Sequence, residues 1–149
     1  MIHFIIPCGA EKAEAASPAR ELYRGSAFQL QLVAAEAEAE ATRRELGQDA
    51  RVLILSALHG LVSPDEIVAP YDVRMDSGDS IPAAALAASA ILQGITEGDE
   101  IYSMVPKAYR ARLAQASELI GVGVQDVYEA APGIGYQRGV CSSLIRGAR

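Results

Sequence analysis

The sequence predicts an α/β protein with a mostly parallel sheet of about four strands flanked by helices. Three observations predict it. Short apolar runs rich in β-branched residues alternate with longer Ala-rich stretches of helical character. One run, Arg51-Val-Leu-Ile-Leu-Ser56, is apolar almost throughout, as a strand covered on both faces must be. The order of elements is strand, helix, strand, loop, helix, strand, helix, strand, loop, helix. Right-handed crossovers turn that order into a parallel sheet between helical layers.

Each element has its own signal. Ile2 to Pro7 reads as the first strand and leaves through Cys8-Gly9-Ala-Glu-Lys12, a sharp polar exit. Ser17-Pro18 opens a helix, with Ser as N-cap and Pro in the first turn. That helix runs to about Leu46 with a break near Gly25-Ser26, and Gly47 closes it. Its run Glu36-Ala-Glu-Ala-Glu40 reads as a solvated helix face. Arg51 to Leu58 is the second strand. Residues 59–80 crowd His59, Gly60, Pro64, Asp65, Pro70, Tyr71 and Asp72 into a span that reads as a rigid, non-repetitive loop. Ser80-Ile-Pro82 opens an Ala-rich helix to about Ile95, suited to core packing or to a dimer face. Glu100 to Pro106 is the third strand and Lys107 to Leu119 the next helix. Ile120 to about Tyr128 is the fourth strand. Pro132 to Tyr136 is a loop, and the last dozen residues form a short helix. With no linker and no internal repeat, residues 1–149 read as one domain.

Composition bounds the function. The 149 residues are enough for a real core, and half of them are hydrophobic. A net charge of −6 argues against broad attraction to nucleic acid or an anionic membrane, and leaves a local basic site open. Two Cys and two His, with no CxxC spacing, speak against a disulfide framework or a conventional metal centre, so neither metal nor cofactor is expected. There is no GxxxxGK[ST], no GxSxG and no GxGxxG after the first strand. No apolar run is long enough to span a membrane, and the start lacks a basic n-region; the expected location is cytoplasmic.

In a parallel sheet the strand carboxyl ends share one edge, where ligands bind. The segments there are Cys8–Lys12, Ser56–Asp72, Val105–Tyr109 and Ala130–Arg138. Cys8 is either a small buried apolar residue or a ligand contact. Lys12 meets an anion or solvent. Ser56 bonds a ligand or caps its turn. His59 suits acid–base work or donation to a ligand, and Gly60 beside it lets backbone approach closely. Tyr71 either stacks on a planar ligand or seals the loop. Asp72 is a general base, a holder of a ligand amine, or a partner of nearby backbone amides. Lys12, Arg20, Arg24, Lys107, Arg110, Arg112 and Arg138 fall in or near strand-end segments. They suggest a locally basic edge suited to a phosphate-bearing ligand.

The stretch Ser56-Ala-Leu-His-Gly-Leu-Val-Ser-Pro-Asp-Glu-Ile-Val-Ala-Pro-Tyr-Asp-Val-Arg-Met75, with Pro-Ala-Arg-Glu-Leu-Tyr-Arg-Gly-Ser over residues 18–26, resembles the YaaA family of peroxide-stress, DNA-binding proteins. It is closer still to small YaaA-like domains of bacteria and phages. The resemblance implies a three-layer fold with uracil-DNA-glycosylase-like or Rossmann-like topology. It also implies binding to, or action on, a nucleotide, nucleobase or nucleic acid. By position it adds Tyr23, Gly25 and Ser26 to Ser56, His59, Gly60, Pro70 and Tyr71.

Three functions follow as expectations. One is a glycosylase-like enzyme acting on an N-glycosidic bond, with His59 and Asp72 catalytic. Cys8, Gly9, Lys12, Tyr23, Gly25, Ser26, Ser56, Gly60, Tyr71 and Lys107 would then hold the ligand. Another is a nucleotide- or DNA-binding module without turnover at the same pocket. The last is a partner-binding domain in which the loop is rigid for packing alone.

Overall fold

The central strand has every side chain buried. Ile2–Pro7 (β1) pairs in parallel with Ala50–Ser56 (β3) on one side and Glu100–Ser103 (β6) on the other. A computed structural model of the chain describes residues 1–127, 144 and 145. Val124–Asp126 (β7) adds in parallel beyond β6, and Gly60–Val62 (β4) adds antiparallel beyond β3. The sheet is therefore five-stranded and mixed, mostly parallel, in the order β4-β3-β1-β6-β7. The predicted Pro132–Tyr136 loop and most of the final helix lie outside the described residues. Leu144 and Ile145 pack against the core on one face.

Alternation along β1 splits the core in two. Ile2, Phe4 and Ile6 face Ser26–Leu46 (α2), which buries Phe28, Leu32, Ala35 and Ala39 at spacings of three and four. Ile5, Leu53 and Leu55 face the other way, towards Leu86, Ala87 and Ala90 of Ala83–Leu92 (α3) and Leu113 and Ala116 of Lys107–Ile120 (α4). Helices thus cover both faces, and none among the described residues is long and apolar enough to cross a membrane.

Several local expectations need correction. Ser17 does not cap a helix; its hydroxyl donates to the Ala15 carbonyl, and Ser17–Pro18 (β2) pairs antiparallel with Ile67–Val68 (β5). Pro18 takes the N-cap position of Ala19–Leu22 (α1). The first amides of α1 are satisfied from outside. Ala19 N donates to Glu66 O and Arg20 N to Pro64 O, both at 2.8 Å. Residues 59–80 are accordingly not free of regular structure, since they contribute β4 and β5. The strand pattern overran at the edges: β3 ends at Ser56, β6 at Ser103, and β7 covers only three residues. The break at Gly25 and the left-handed Gly47 closing α2 (φ 64°) are as expected.

The outer edge of β4 is covered from α3. Leu61 N donates to Ser89 Oγ at 3.0 Å, and Gln93 Nε2 donates to Leu61 O at 3.1 Å. Gly60 makes the approach possible: its φ is +81°, and a Cβ there would lie 2.5 Å from Ser89 Oγ. At the amino end of the sheet the fully buried His3 lies between charges. Arg51 Nε donates to its Nδ1 at 3.0 Å, so the ring proton sits on Nε2 and points to Asp99 Oδ2 at 2.9 Å.

Candidate functional site

The order of the parallel strands puts a reversal between β1 and β6. After β1 the chain moves to α2 on one face; after β6 it moves to α4 on the other. The loops leaving these two carboxyl ends diverge and leave a crevice, the usual ligand position in open α/β sheets. A cleft of about 420 Å³ lies there. Cys8, Gly9, Ala10 and Lys12 line it from β1, and Pro106, Ala108 and Tyr109 from β6. Residues 72–76, from Asp72 to Asp76, supply the remaining wall. Cys8 Sγ and Tyr109 Oη join the two strand ends at 3.3 Å.

Next to the cleft stands a cluster of hydroxyls. Ser56 Oγ donates to Tyr71 Oη at 2.6 Å, and Tyr23 Oη lies 2.6 Å from Tyr71 Oη. Ser56 Oγ in turn accepts from His59 N at 3.0 Å and Leu58 N at 3.3 Å, which caps the turn leaving β3. Lys12 Nζ sits 4.5 Å from the Tyr71 ring centroid and 5.9 Å from that of Tyr23. The His59 ring meets the Tyr71 ring edge-on at 5.3 Å. Tyr71 is therefore clamped on its oxygen, with Lys12 and His59 against its ring.

Burial dominates the acidity of these phenols. It pushes Tyr23 up to about 12, against its hydrogen bonds with Tyr71 and Ser56. It also raises Tyr71, helped by the nearby Cys8 thiol and Tyr23, and raises Tyr109, helped again by Cys8. All three are neutral near pH 7. They donate and accept hydrogen bonds and do not serve as bases.

The structure brings some predicted residues together and separates others. Cys8, Gly9, Lys12 and Asp72 share the cleft. Ser56, Tyr23 and Tyr71 form the adjoining cluster. His59 is exposed and lines a separate groove of about 450 Å³ with Leu61, Glu66 and Gln93. Gly60 approaches Ser89 of α3, not the cleft. Gly25 precedes α2 at φ −64° with no atom within 4 Å of a built Cβ, so neither its backbone nor its surroundings require glycine. Ser26 is the exposed first residue of α2, and Lys107 is exposed at the start of α4 without lining the cleft.

The basic edge is largely spent on structure. Arg20 holds Asp65 at 2.9 Å and Glu36 at 3.0 Å. Arg110 pairs with Asp126, and Arg112 donates to the Ile81 carbonyl and to Ser80 Oγ. Arg138 lies outside the described residues. A larger groove of about 510 Å³ has Arg20 paired with Glu36 and Asp65 and Arg43 with Glu40, while its Arg51 is bound to His3 and the Gln93 carbonyl. Among the described residues no group of three or more His, Cys, Asp or Glu is placed to hold a metal ion.

Sequence reasoning missed Tyr109. Its signal was available: a Tyr in the first turn after a strand end, within the Val105–Tyr109 segment assigned to the ligand edge. Arg74 and Asp76 were not singled out: they lie past the motif's aromatic, in the last part of the 59–80 loop.

Residues 4–140 match the family of unknown function DUF6884. No curated protein and no solved structure matches the chain.

Proposed function

The chain belongs to the DUF6884 family, and we propose from its geometry that it is a nucleotide-directed protein whose β1–β6 cleft takes a nucleobase-bearing ligand. One observation carries the reading: the cleft opens where the connections from two adjacent parallel strands diverge to opposite faces. Its volume of about 420 Å³ falls within the range of roughly 300–1,000 Å³ usual for small-molecule sites. Lys12 offers a cation to a phosphate. Tyr109, Pro106 and Val73 offer flat and apolar surface to a base. The finer topology, uracil-DNA-glycosylase-like or Rossmann-like, and kinship with YaaA-like domains belong to the same proposal. Residues 56–75 and the strand order support both. A cytoplasmic setting goes with it.

A second reading, hydrolysis of an N-glycosidic bond, is favoured by Asp72. Its exposed carboxylate lines the cleft and has no ion-pair partner among the described residues. In that reaction Asp72 takes a proton from water as the water oxygen bonds the anomeric carbon. The carbon–nitrogen bond breaks with its electron pair on the base, which is protonated from solvent. His59 lines another groove, so it acts here only by holding the Tyr71 ring.

The test is to incubate the protein with nucleosides, nucleotides, single- and double-stranded DNA and RNA, and to follow both binding and free base by mass spectrometry. Base release that disappears in Asp72→Ala and survives in His59→Ala supports hydrolysis. Saturable binding without release, weakened by Lys12→Ala, supports a binding module. Folded protein that neither binds nor cleaves any of them overturns the nucleotide reading.

A further inference from the structure

The cleft is a poor host for a polyanion. Its ionic lining is Lys12, Asp72, Arg74 and Asp76. Arg74 Nη2 is bound to Asp76 Oδ2 at 3.1 Å, which leaves, among the described residues, one cation, Lys12, and one carboxylate, Asp72, in the same lining. Among the described residues, the arginines that the sequence assigns to this edge do not reinforce it: Arg20, Arg110 and Arg112 are committed to Asp65, Asp126 and Ile81, and Arg24 does not line the cleft. Lys107 does not line the cleft, and the whole chain carries −6.

A nucleic-acid strand gains its affinity by having several phosphates neutralised at once. A triphosphate likewise needs clustered cations or amide nests, and a carboxylate at the same rim repels it. One ammonium can meet one phosphate. A neighbouring carboxylate suits the hydroxyls of a ribose or the amino group of a base, both of which donate to it.

Resting on the nucleotide reading of the cleft, we propose that its ligand is a free monomer with at most one phosphate, a nucleoside or nucleoside monophosphate. It is neither a strand nor a polyphosphate. Lys12 binds the phosphate, and Asp72 selects against additional negative charge while accepting from the sugar or base.

The experiment is a titration at physiological salt with a set of nucleosides, their monophosphates and triphosphates, and a short single-stranded oligonucleotide, followed by calorimetry. A monophosphate is expected to bind at least about tenfold more tightly than its triphosphate, a difference of about 1.4 kcal/mol. Lys12→Ala should reduce the monophosphate to the affinity of its nucleoside. Asp72→Asn should narrow the preference over the triphosphate. Both side chains are solvent-accessible, and circular dichroism checks that the variants fold. Tightest binding of the triphosphate or the oligonucleotide overturns this inference and leaves the nucleotide reading standing. Absence of binding by every compound, on folded protein, overturns both.

Discussion

At the scale of single residues, Tyr71 does more through its oxygen than through its ring. Tyr71→Phe keeps the contacts with His59 and Lys12 but removes the oxygen that the buried Tyr23 and Ser56 hydroxyls share, leaving a buried polar group short of a partner. Leaving such a group unpaired costs about 1–3 kcal/mol. Urea denaturation should show that loss, and a variant as stable as the parent would mean that the cluster contributes nothing. Gly60→Ala should cost more than about 1 kcal/mol, because a positive φ and a clash add. Gly60→Ala with Ser89→Ala should recover only the part of the clash due to the hydroxyl, since Ser89 Cβ at 2.9 Å and the φ of +81° remain. The motif around residues 56–72 was legible as the exit from a strand's carboxyl end because its residue types are rare in regular structure. Which of its side chains face the cleft was not legible. His59 and Asp72 lie only thirteen positions apart, yet the chain between them leaves β3, builds β4 and β5, and returns.

At the scale of elements, long signals were read correctly and short ones were not. β1 and β3 announce themselves by unbroken apolar runs, and α2 by its length and terminal glycine. β2 and β5 hold two residues each, too few for any period to register, and their pairing adjoins the Pro64 and Glu66 carbonyls that accept from the first amides of α1. The pairing partners of Arg20, Arg110 and Arg112 sit 45, 16 and 31 positions away, beyond any local pattern. α3 permits a sharp test of orientation. Leu86 is fully buried, whereas Leu92 is 88% exposed. Leu86→Ala should cost about 2–5 kcal/mol, and Leu92→Ala should stay within about 0.5 kcal/mol. Equal losses in thermal or chemical denaturation would refute the assignment of the helix faces. The Glu-rich run is a solvated face only in part: Glu36 and Glu40 pair with arginines at the surface, where each pair is worth at most about 1 kcal/mol, whereas Glu38 is half-buried and burial raises its carboxyl.

At the scale of the molecule, the two ends of the sheet divide the work. Ligand binding is proposed for the carboxyl end, while the amino end holds His3, Arg51 and Asp99. Burial depresses the His3 imidazole below 6.5, more than its bond to Asp99 raises it. On acidification the unfolded chain therefore takes up the His3 proton first. Stability is complete above pH 6.5 and declines as the pH falls below it. Burial also opposes ionisation of Asp99, yet hydrogen bonds from His3 and the Thr96 amide hold its carboxyl down to about 2, from an ordinary 3.8. Its contribution is present above pH 3.8 and disappears towards pH 2. Urea midpoints measured against pH should fall in these two stages, and Asp99→Asn should abolish the second. A midpoint independent of pH between 7 and 5 would contradict the burial of His3 as described. The covered flank of β4 carries a further consequence. A short terminal strand invites neighbours to polymerise by backbone pairing, the route to fibrils. With the Leu61 amide and carbonyl already occupied by Ser89 and Gln93, that template is blocked. At this flank, self-association is confined to side-chain contacts between whole folded molecules.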